Sequence, residues 1–338
     1  MPTPPKSGCF EAQYPSVVWQ EVPCVKVQNT PLGAPGNSLV PSGSATQKAG
    51  GPSPLHVGGG VADFLANVGS DSITMAKGSF SRVTGVTSVT DWRLDGDSWY
   101  SHDNWYSLQM NTNNNFPVPE YCAGCTGWQQ FAYRNGDTSS SYVWIENFLF
   151  GYGASCPSSA WAYHPEIGAC ILDSPGTYVP PQTLADLPKL VLKGQANAWT
   201  GTEYLDYAYF SAGNGKVYSM SQPASVLHLT NRWKTVEYNI FGWGGGSEAR
   251  FLPNNSSTII VNVDLWTLGQ TFVPTCTGNG VTAEWNDLTL VSPCCPLAGN
   301  PFGDTPRPGI TFAESNVAGA SPAFCVTWDN VPILSLLR

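Results

Sequence analysis

Four segments of this 338-residue chain alternate in side-chain character with a period of two. That alternation restricts the fold more than any other feature, because a β-strand sends successive side chains to opposite faces. In "WYSLQMN" (105–111), Tyr106, Leu108 and Met110 share one face, and Trp105, Ser107, Gln109 and Asn111 the other. In "GWQQFAYR" (127–134), Gln129, Phe131 and Tyr133 oppose Trp128, Gln130, Ala132 and Arg134. "YVWIENFLF" (142–150) sets Val143, Ile145 and Leu149 against Tyr142, Trp144, Glu146, Phe148 and Phe150. "VEYNIF" (236–241) sets Val236, Tyr238 and Ile240 against Glu237, Asn239 and Phe241. Each segment thus has an apolar face and a second face that mixes aromatic rings with Gln, Asn and Glu. A water-facing sheet would use Lys, Thr and Ser there. Aromatic walls beside a few carboxamides and carboxylates have the composition of a binding groove. The plainer alternative is a sandwich face covered by loops, with its polar groups satisfied internally.

Composition agrees with an all-β chain. Only 12% of residues are charged, against about a quarter in an ordinary domain. The 35 Gly and 28 Pro supply turns. No convincing helical period occurs, although "QTLADLPKL" (182–190) suits one short turn. The expected architecture is an antiparallel β-sandwich of the concanavalin-like or jelly-roll type over residues 61–292. Residues 1–60 are expected as an N-terminal arm with a Pro/Gly/Ser-rich linker. Residues 293–338 are expected as a disulfide-tied C-terminal extension. A net charge of -9 without a basic patch argues against nucleic acid as a partner. No run of 18 apolar residues is present, so no membrane span is expected. A monomer is the expected state.

The ten cysteines (9, 24, 122, 125, 156, 170, 276, 294, 295 and 325) show no zinc-ligand spacing. "CAGC" (122–125) falls between strand-like segments, unlike a thioredoxin-type site. Disulfides formed in an oxidising compartment follow, and with "MPTPPKSG" read as a mature start the chain is expected to be secreted. Local spacing suggests Cys9–Cys24, Cys122–Cys125 and Cys156–Cys170, with the last four pairing among themselves.

None of the four histidines lies in HExxH, and no GxSxG occurs, which disfavours zinc and serine peptidases. Asp95, Asp97 and Asp103 in "DGDSWYSHDNW" (95–105) offer oxygen ligands without an EF-hand pattern, and read as a solvated acidic loop. No metal or other cofactor is expected.

The order of segments resembles the eqolisins, the glutamic endopeptidases typified by scytalidoglutamic peptidase. "GSFSRVTGV" (78–86), "YSLQMNT" (106–112), "WQQFAY" (128–133), "YVWIENF" (142–148) and "VEYNIFG" (236–242) are similar, in that order, to successive strands of that family. The likeness is one of order and strand character over about residues 64–265. It implies a secreted, acid-active β-sandwich peptidase with Gln130 and Glu237 as its dyad, and a removable prosegment for which residues 1–60 are the candidate. Glu237 would act as general base and then acid, and Gln130 as oxyanion stabiliser. Gln129 is the adjacent alternative, although alternation favours Gln130. "VTAEWNDL" (281–288) offers Glu284 as a lower-ranked counterpart of Glu237, read in a helix-to-loop setting. The substrate-binding set is Trp105, Gln109, Trp128, Trp144, Glu146 and Asn239, with Asn239 able to share the oxyanion role. "WGGG" (243–246) suits either close approach of a substrate backbone or a flexible loop.

A polypeptide is therefore the expected partner. The alternatives are a carbohydrate-binding module or glycoside hydrolase acting on polysaccharide, with Glu146 and Glu237 as its carboxylates, and a non-catalytic secreted surface protein.

Overall fold

The structure, a computed structural model, describes residues 3–16, 18–27, 57–59, 62–95, 98–251, 256–278, 280–301 and 306–317. Its main strands are β1 (Gly8–Gln13), β2 (Phe64–Asn67), β3 (Ile73–Thr84), β4 (Tyr106–Thr112), β5 (Thr126–Asn135), β6 (Tyr142–Phe150), β7 (Ala169–Asp173), β8 (Val191–Trp199), β9 (Tyr204–Ser211), β10 (Lys216–Pro223), β11 (Thr235–Phe241), β12 (Thr258–Thr267), β13 (Thr275–Gly278) and β14 (Gly309–Ser315). They form two antiparallel sheets stacked as a β-sandwich. One runs β1-β10-β9-β8-β3-β12-β14, the other β7-β6-β5-β4-β11-β2-β13. Among the described residues the helical element is a short 3-10 turn, Leu184–Lys189, inside the stretch expected to make one.

The apolar faces read from the alternation pack between the sheets. Leu108, Met110, Phe131, Tyr133, Val143, Ile145, Val236, Tyr238 and Ile240 join Phe80, Leu192, Ala208, Phe210, Met220, Val261, Val263 and Phe312 in one buried cluster. Each such aliphatic or Phe side chain contributes about 1.5–3 kcal/mol when fully buried. The Tyr133 ring stacks on Phe210 with centroids 3.8 Å apart.

The sheets extend past the expected domain boundaries. β1 pairs with β10 from Gly8↔Ser221 to Gln13↔Lys216, so part of the presumed arm is a sheet strand. β14, within the presumed extension, pairs with β12 from Thr258↔Ser315 to Asp264↔Gly309. Both are short alternating segments flanked by Pro and Gly, whose composition hides them. Residues 28–56 and 318–338 lie outside the described residues, and with them most of the linker and the end of the tail.

A smaller sheet joins Val57–Gly58, Trp285–Asn286, Glu248–Arg250, Thr90–Asp95 and Ser98–Asp103, in that order. Of the stretch expected as an acidic loop, Asp95 and Asp103 lie in paired strands, Thr90–Asp95 with Ser98–Asp103, and Asp97 lies outside the described residues. Trp99 and Tyr100, good strand formers, outweigh the turn-forming Asp residues there. "EWN" (284–286) is extended and not helical, because Trp285–Asn286 pairs in parallel with Glu248–Ala249.

Cys9–Cys24, Cys122–Cys125 and Cys156–Cys170 are bonded as expected, and Cys276 bonds Cys294. Cys295 is also disulfide-bonded, and Cys325 lies outside the described residues. No helix among the described residues is long and apolar enough to cross a membrane.

Candidate functional site

The polar–aromatic faces of β4, β5, β6 and β11 lie on the side of their sheet away from the sandwich core. Antiparallel register aligns them into rows. One row runs Leu65, Glu237, Asn111, Gln130, Glu146 and Asp173, each directly opposite the next across β2, β11, β4, β5, β6 and β7. The adjacent row is Asn239, Gln109, Ala132 and Trp144. Gln130 and Glu237 are thus two strands apart, with Asn111 between them.

Hydrogen bonds follow this geometry. Asn111 Nδ2 donates to Glu237 Oε2 at 2.8 Å. Gln130 Nε2 donates to Asn111 Oδ1 at 2.7 Å and to Gln109 Oε1 at 3.2 Å. Both donor positions of the Gln130 amide are therefore engaged, while its Oε1 is buried without a partner. Gln109 Nε2 donates to Ser107 Oγ at 2.9 Å, and that hydroxyl donates to the Gly242 carbonyl at 2.6 Å. Asn239 is held elsewhere: its Nδ2 donates to Asp63 Oδ2 at 3.3 Å and to Glu314 Oε2 at 3.2 Å. The Ile240 N–H donates to its Oδ1 at 2.8 Å. Asn239 thus belongs to a neighbouring carboxyl cluster and not to the Gln130 row.

Three acids meet at this end of the face. Glu237 is fully buried; desolvation raises its pKa, and hydrogen bonds from Asn111 and the Val281 N–H oppose that rise. Asp63, immediately before β2, is pushed well above the ordinary carboxylate range by burial and by the charges of Glu237 and Glu314. Burial pushes Glu314 up to about 8. Asp63 and Glu237 are close enough for the charge of one to raise the other's proton affinity. A carboxyl beside a carboxylate cannot ionise as freely as either alone, so such a pair tends to retain one proton.

The face is covered, not an open groove. Gln109, Asn111, Trp128, Gln130, Trp144, Glu146, Glu237 and Asn239 are all buried. The segment from Gly280 to Glu284 crosses Glu237. The Val281 N–H donates to Glu237 Oε1 and Oε2 at 3.2 Å each. The Thr282 hydroxyl lies 2.9 Å from Gln109 Oε1 and 2.6 Å from Glu284 Oε2. Glu284 therefore sits in the same network as Glu237. It also accepts the Gly246 N–H at 3.1 Å. The "WGGG" turn that brings that N–H inward has φ values of 147°, 67° and 75° at Gly244, Gly245 and Gly246, which side-chain-bearing residues rarely adopt.

Aromatic clusters flank the polar row. On one side Trp128 packs with Phe148, Leu65, Ile171 and Val281. On the other, the Arg134 guanidinium lies over Trp144 at 4.8 Å and Trp243 at 4.4 Å. Trp105 stacks on His102 at 4.3 Å and approaches Trp243 at 4.7 Å. It stands six residues from Asn111, about 20 Å along the strand, so it is remote from the Gln130 row. The row ends at Asp173, whose carboxylate accepts the Trp144 Nε1–H at 3.2 Å. Burial raises Asp173 to about 6, against the opposing charge of Arg134. Asp173 borders a cavity of about 570 Å³ lined also by Val27, Trp161, His164 and Ile171.

Gln129 faces the sandwich interior, where its Nε2 donates to Asp206 Oδ2 at 3.2 Å. Asp206 also accepts the Asn197 N–H at 2.9 Å, and burial raises it to about 7. Beside it Asn147 and Gln222 exchange amide hydrogen bonds of 2.9 Å. This second carboxamide–carboxyl pair is locked between the sheets.

Sequence reasoning placed Asn111 on the right face without giving it a role, and it missed Asp63, Val281, Thr282 and Glu314. Alternation could have promoted Asn111. Asp63 precedes its strand and Glu314 lies in a presumed tail, so neither carried a periodic signal. No protein-family model, curated protein or solved structure matches the chain.

Proposed function

We propose that the protein is a secreted, acid-active endopeptidase that hydrolyses peptide bonds at Glu237, with Gln130, Asn111 and Asp63 around it. The observation that carries this reading is the linked set Gln130–Asn111–Glu237, with the buried Asp63 carboxyl beside Glu237. Gln130 Oε1, the unpartnered acceptor, suits holding a water. The ionised Glu237 takes a proton from that water as its oxygen attacks the carbonyl carbon. The protonated Asp63 carboxyl is the nearby donor for the developing oxyanion, because the Asn111 amide hydrogens are directed to Glu237 and Gln109. Glu237 then returns its proton to the departing amine as the C–N bond breaks. With its amide hydrogens already engaged, Gln130 serves this scheme better as a water holder than as the oxyanion donor expected from sequence. The need for one protonated and one ionised carboxyl gives the pH–rate profile two limbs, one for each group. The disulfides suit an extracellular compartment.

A two-carboxylate glycosidase is less well supported. Glu146 and Glu237 lie three strand spacings apart, about 14 Å between backbones, with Asn111 and Gln130 standing between them in the row. The direct test is incubation with a denatured protein between about pH 3 and pH 6, followed by gel. Fragments formed by the unmodified protein and absent with Glu237→Gln are the expected result. Equal cleavage by the two would overturn the proposal.

A further inference from the structure

We infer that the segment Gly280–Glu284 lies in the substrate-binding cleft of this face as a built-in peptide, and that the cleft accepts an extended polypeptide with a small residue, an aliphatic residue and a hydroxyl residue in succession. The inference rests on the peptide-hydrolysing reading of the same face. It starts from how the segment is held. Both ends are fixed: β13 pairs with β2, and Trp285–Asn286 pairs with Glu248–Ala249 and Val57–Gly58. The Cys276–Cys294 disulfide ties the two sides together. Between those anchors the segment joins no sheet. Its Val281 N–H donates to the Glu237 carboxylate, and its Thr282 hydroxyl touches Gln109. A piece of architecture is normally held by the backbone ladder. This one has a backbone bond at its far end, from the Gly59 N–H to the Glu284 carbonyl at 2.9 Å, and is otherwise held by side chains placed to meet a peptide.

Three subsites can be read from it. A Cβ at position 280 would collide with Glu237 Oε1 and come within 3.0 Å of Asp63 Cβ, so only glycine passes over the acid pair. The next side chain, Val281, enters an apolar socket of Leu65, Trp128, Phe148 and Ile171, with Phe150 and Ile167 at its edge. The third, Thr282, brings a hydroxyl to Gln109 Oε1. An incoming chain must displace this segment, and it binds best when it reproduces Gly-Val-Thr. A carboxylate in the apolar socket would be rejected because its desolvation is uncompensated.

The test compares the full-length protein with its Val281→Asp variant, which puts a charge into the socket and expels the segment. The probe is acetyl-Gly-Val-Thr-Ala-Glu-amide, titrated at about pH 6.5, where a solvated Asp is ionised, and followed by tryptophan fluorescence. The variant is expected to bind at least tenfold more tightly than the unmodified protein. The same peptide with Asp in place of Val is expected to bind neither. A folded variant that binds no better than the parent overturns the inference. Should the variant not fold, hydrogen exchange on the unmodified protein decides. Amides of 280–284 exchanging ahead of those of β11 support a separable segment, and exchange only in step with β11 overturns it. Binding and cleavage are scored apart. A probe that binds as expected while no substrate is ever cut leaves the inference standing and removes the peptidase reading. Cleavage of other substrates that the probe never slows does the reverse.

Discussion

Asn111 bridges the two residues that sequence singled out, donating to Glu237 Oε2 at 2.8 Å and accepting from Gln130 Nε2 at 2.7 Å. Its amide holds the Glu237 pKa down against desolvation. Asn111→Ala removes that donor and one of the two acceptors of the Gln130 amide. Peptidase activity is expected to fall about ten- to a hundredfold, in the range of a lost preorganised donor. The lower limb of the pH–rate profile should move toward higher pH. A profile unmoved in position would argue that Asn111 only fills space.

Substitution of the two outer-face glutamates separates the enzymatic readings. Glu237→Gln is expected to abolish cleavage while the thermal midpoint holds or rises, since the isosteric amide removes a buried ionisable group and keeps its shape. Glu146→Gln, one strand beyond Gln130, should leave most of the activity. Loss of glycan hydrolysis in both variants, with peptide cleavage absent throughout, would favour the glycosidase.

Stability should be highest in acid. Asp63, Glu237, Glu314, Asp206 and Asp173 all have pKa values raised on folding, chiefly by burial. The folded state binds protons more tightly at these groups than the unfolded chain does. Their stabilisation is complete below the unfolded carboxyl range, near pH 4, and is lost as pH rises through the folded values of about 6 to 8. Lowered carboxyls such as Asp71 and Glu120 act the other way, but they are far more exposed. The thermal midpoint is expected to drop by several degrees or more between about pH 4 and pH 8. A flat or rising curve over that interval would contradict the burial assigned to these acids.

Asp206→Asn isolates one contributor. Asp206 lies between the sheets, accepting from Gln129 and Asn197. The amide cannot ionise, so the variant should be less sensitive than its parent to alkaline destabilisation. Because the pair is remote from Glu237, cleavage should persist. Loss of activity at unchanged stability would instead place the working dyad at Gln129 and Asp206.

The sandwich was legible because β4, β5, β6 and β11 alternate strictly, and one buried cluster now contains the apolar sides of all four. The same alternation sent Gln130 outward and Gln129 inward. Register was not legible: nothing in the sequence says that Asn111 stands opposite both Glu237 and Gln130. Nor is the cover. Glu237 is separated by 44 residues from the Val281 N–H that caps it, and no local pattern encodes such a meeting. β1 and β14 were obscured by surroundings with the composition of linkers.

The placement of β1 bears on how the chain would respond to a cut. Cys9 bonds Cys24, so that link closes within the first 24 residues and reaches nothing beyond them. What joins this piece to the body is the six-residue ladder with β10, the Gly176–Thr177 pairing of Cys24–Val25, and packing of Cys9 into the core. A protease nicking anywhere in residues 28–56 would leave a two-chain molecule held without a covalent bridge through the described residues. It would travel as one species in native sizing and separate into two in detergent, with or without reductant.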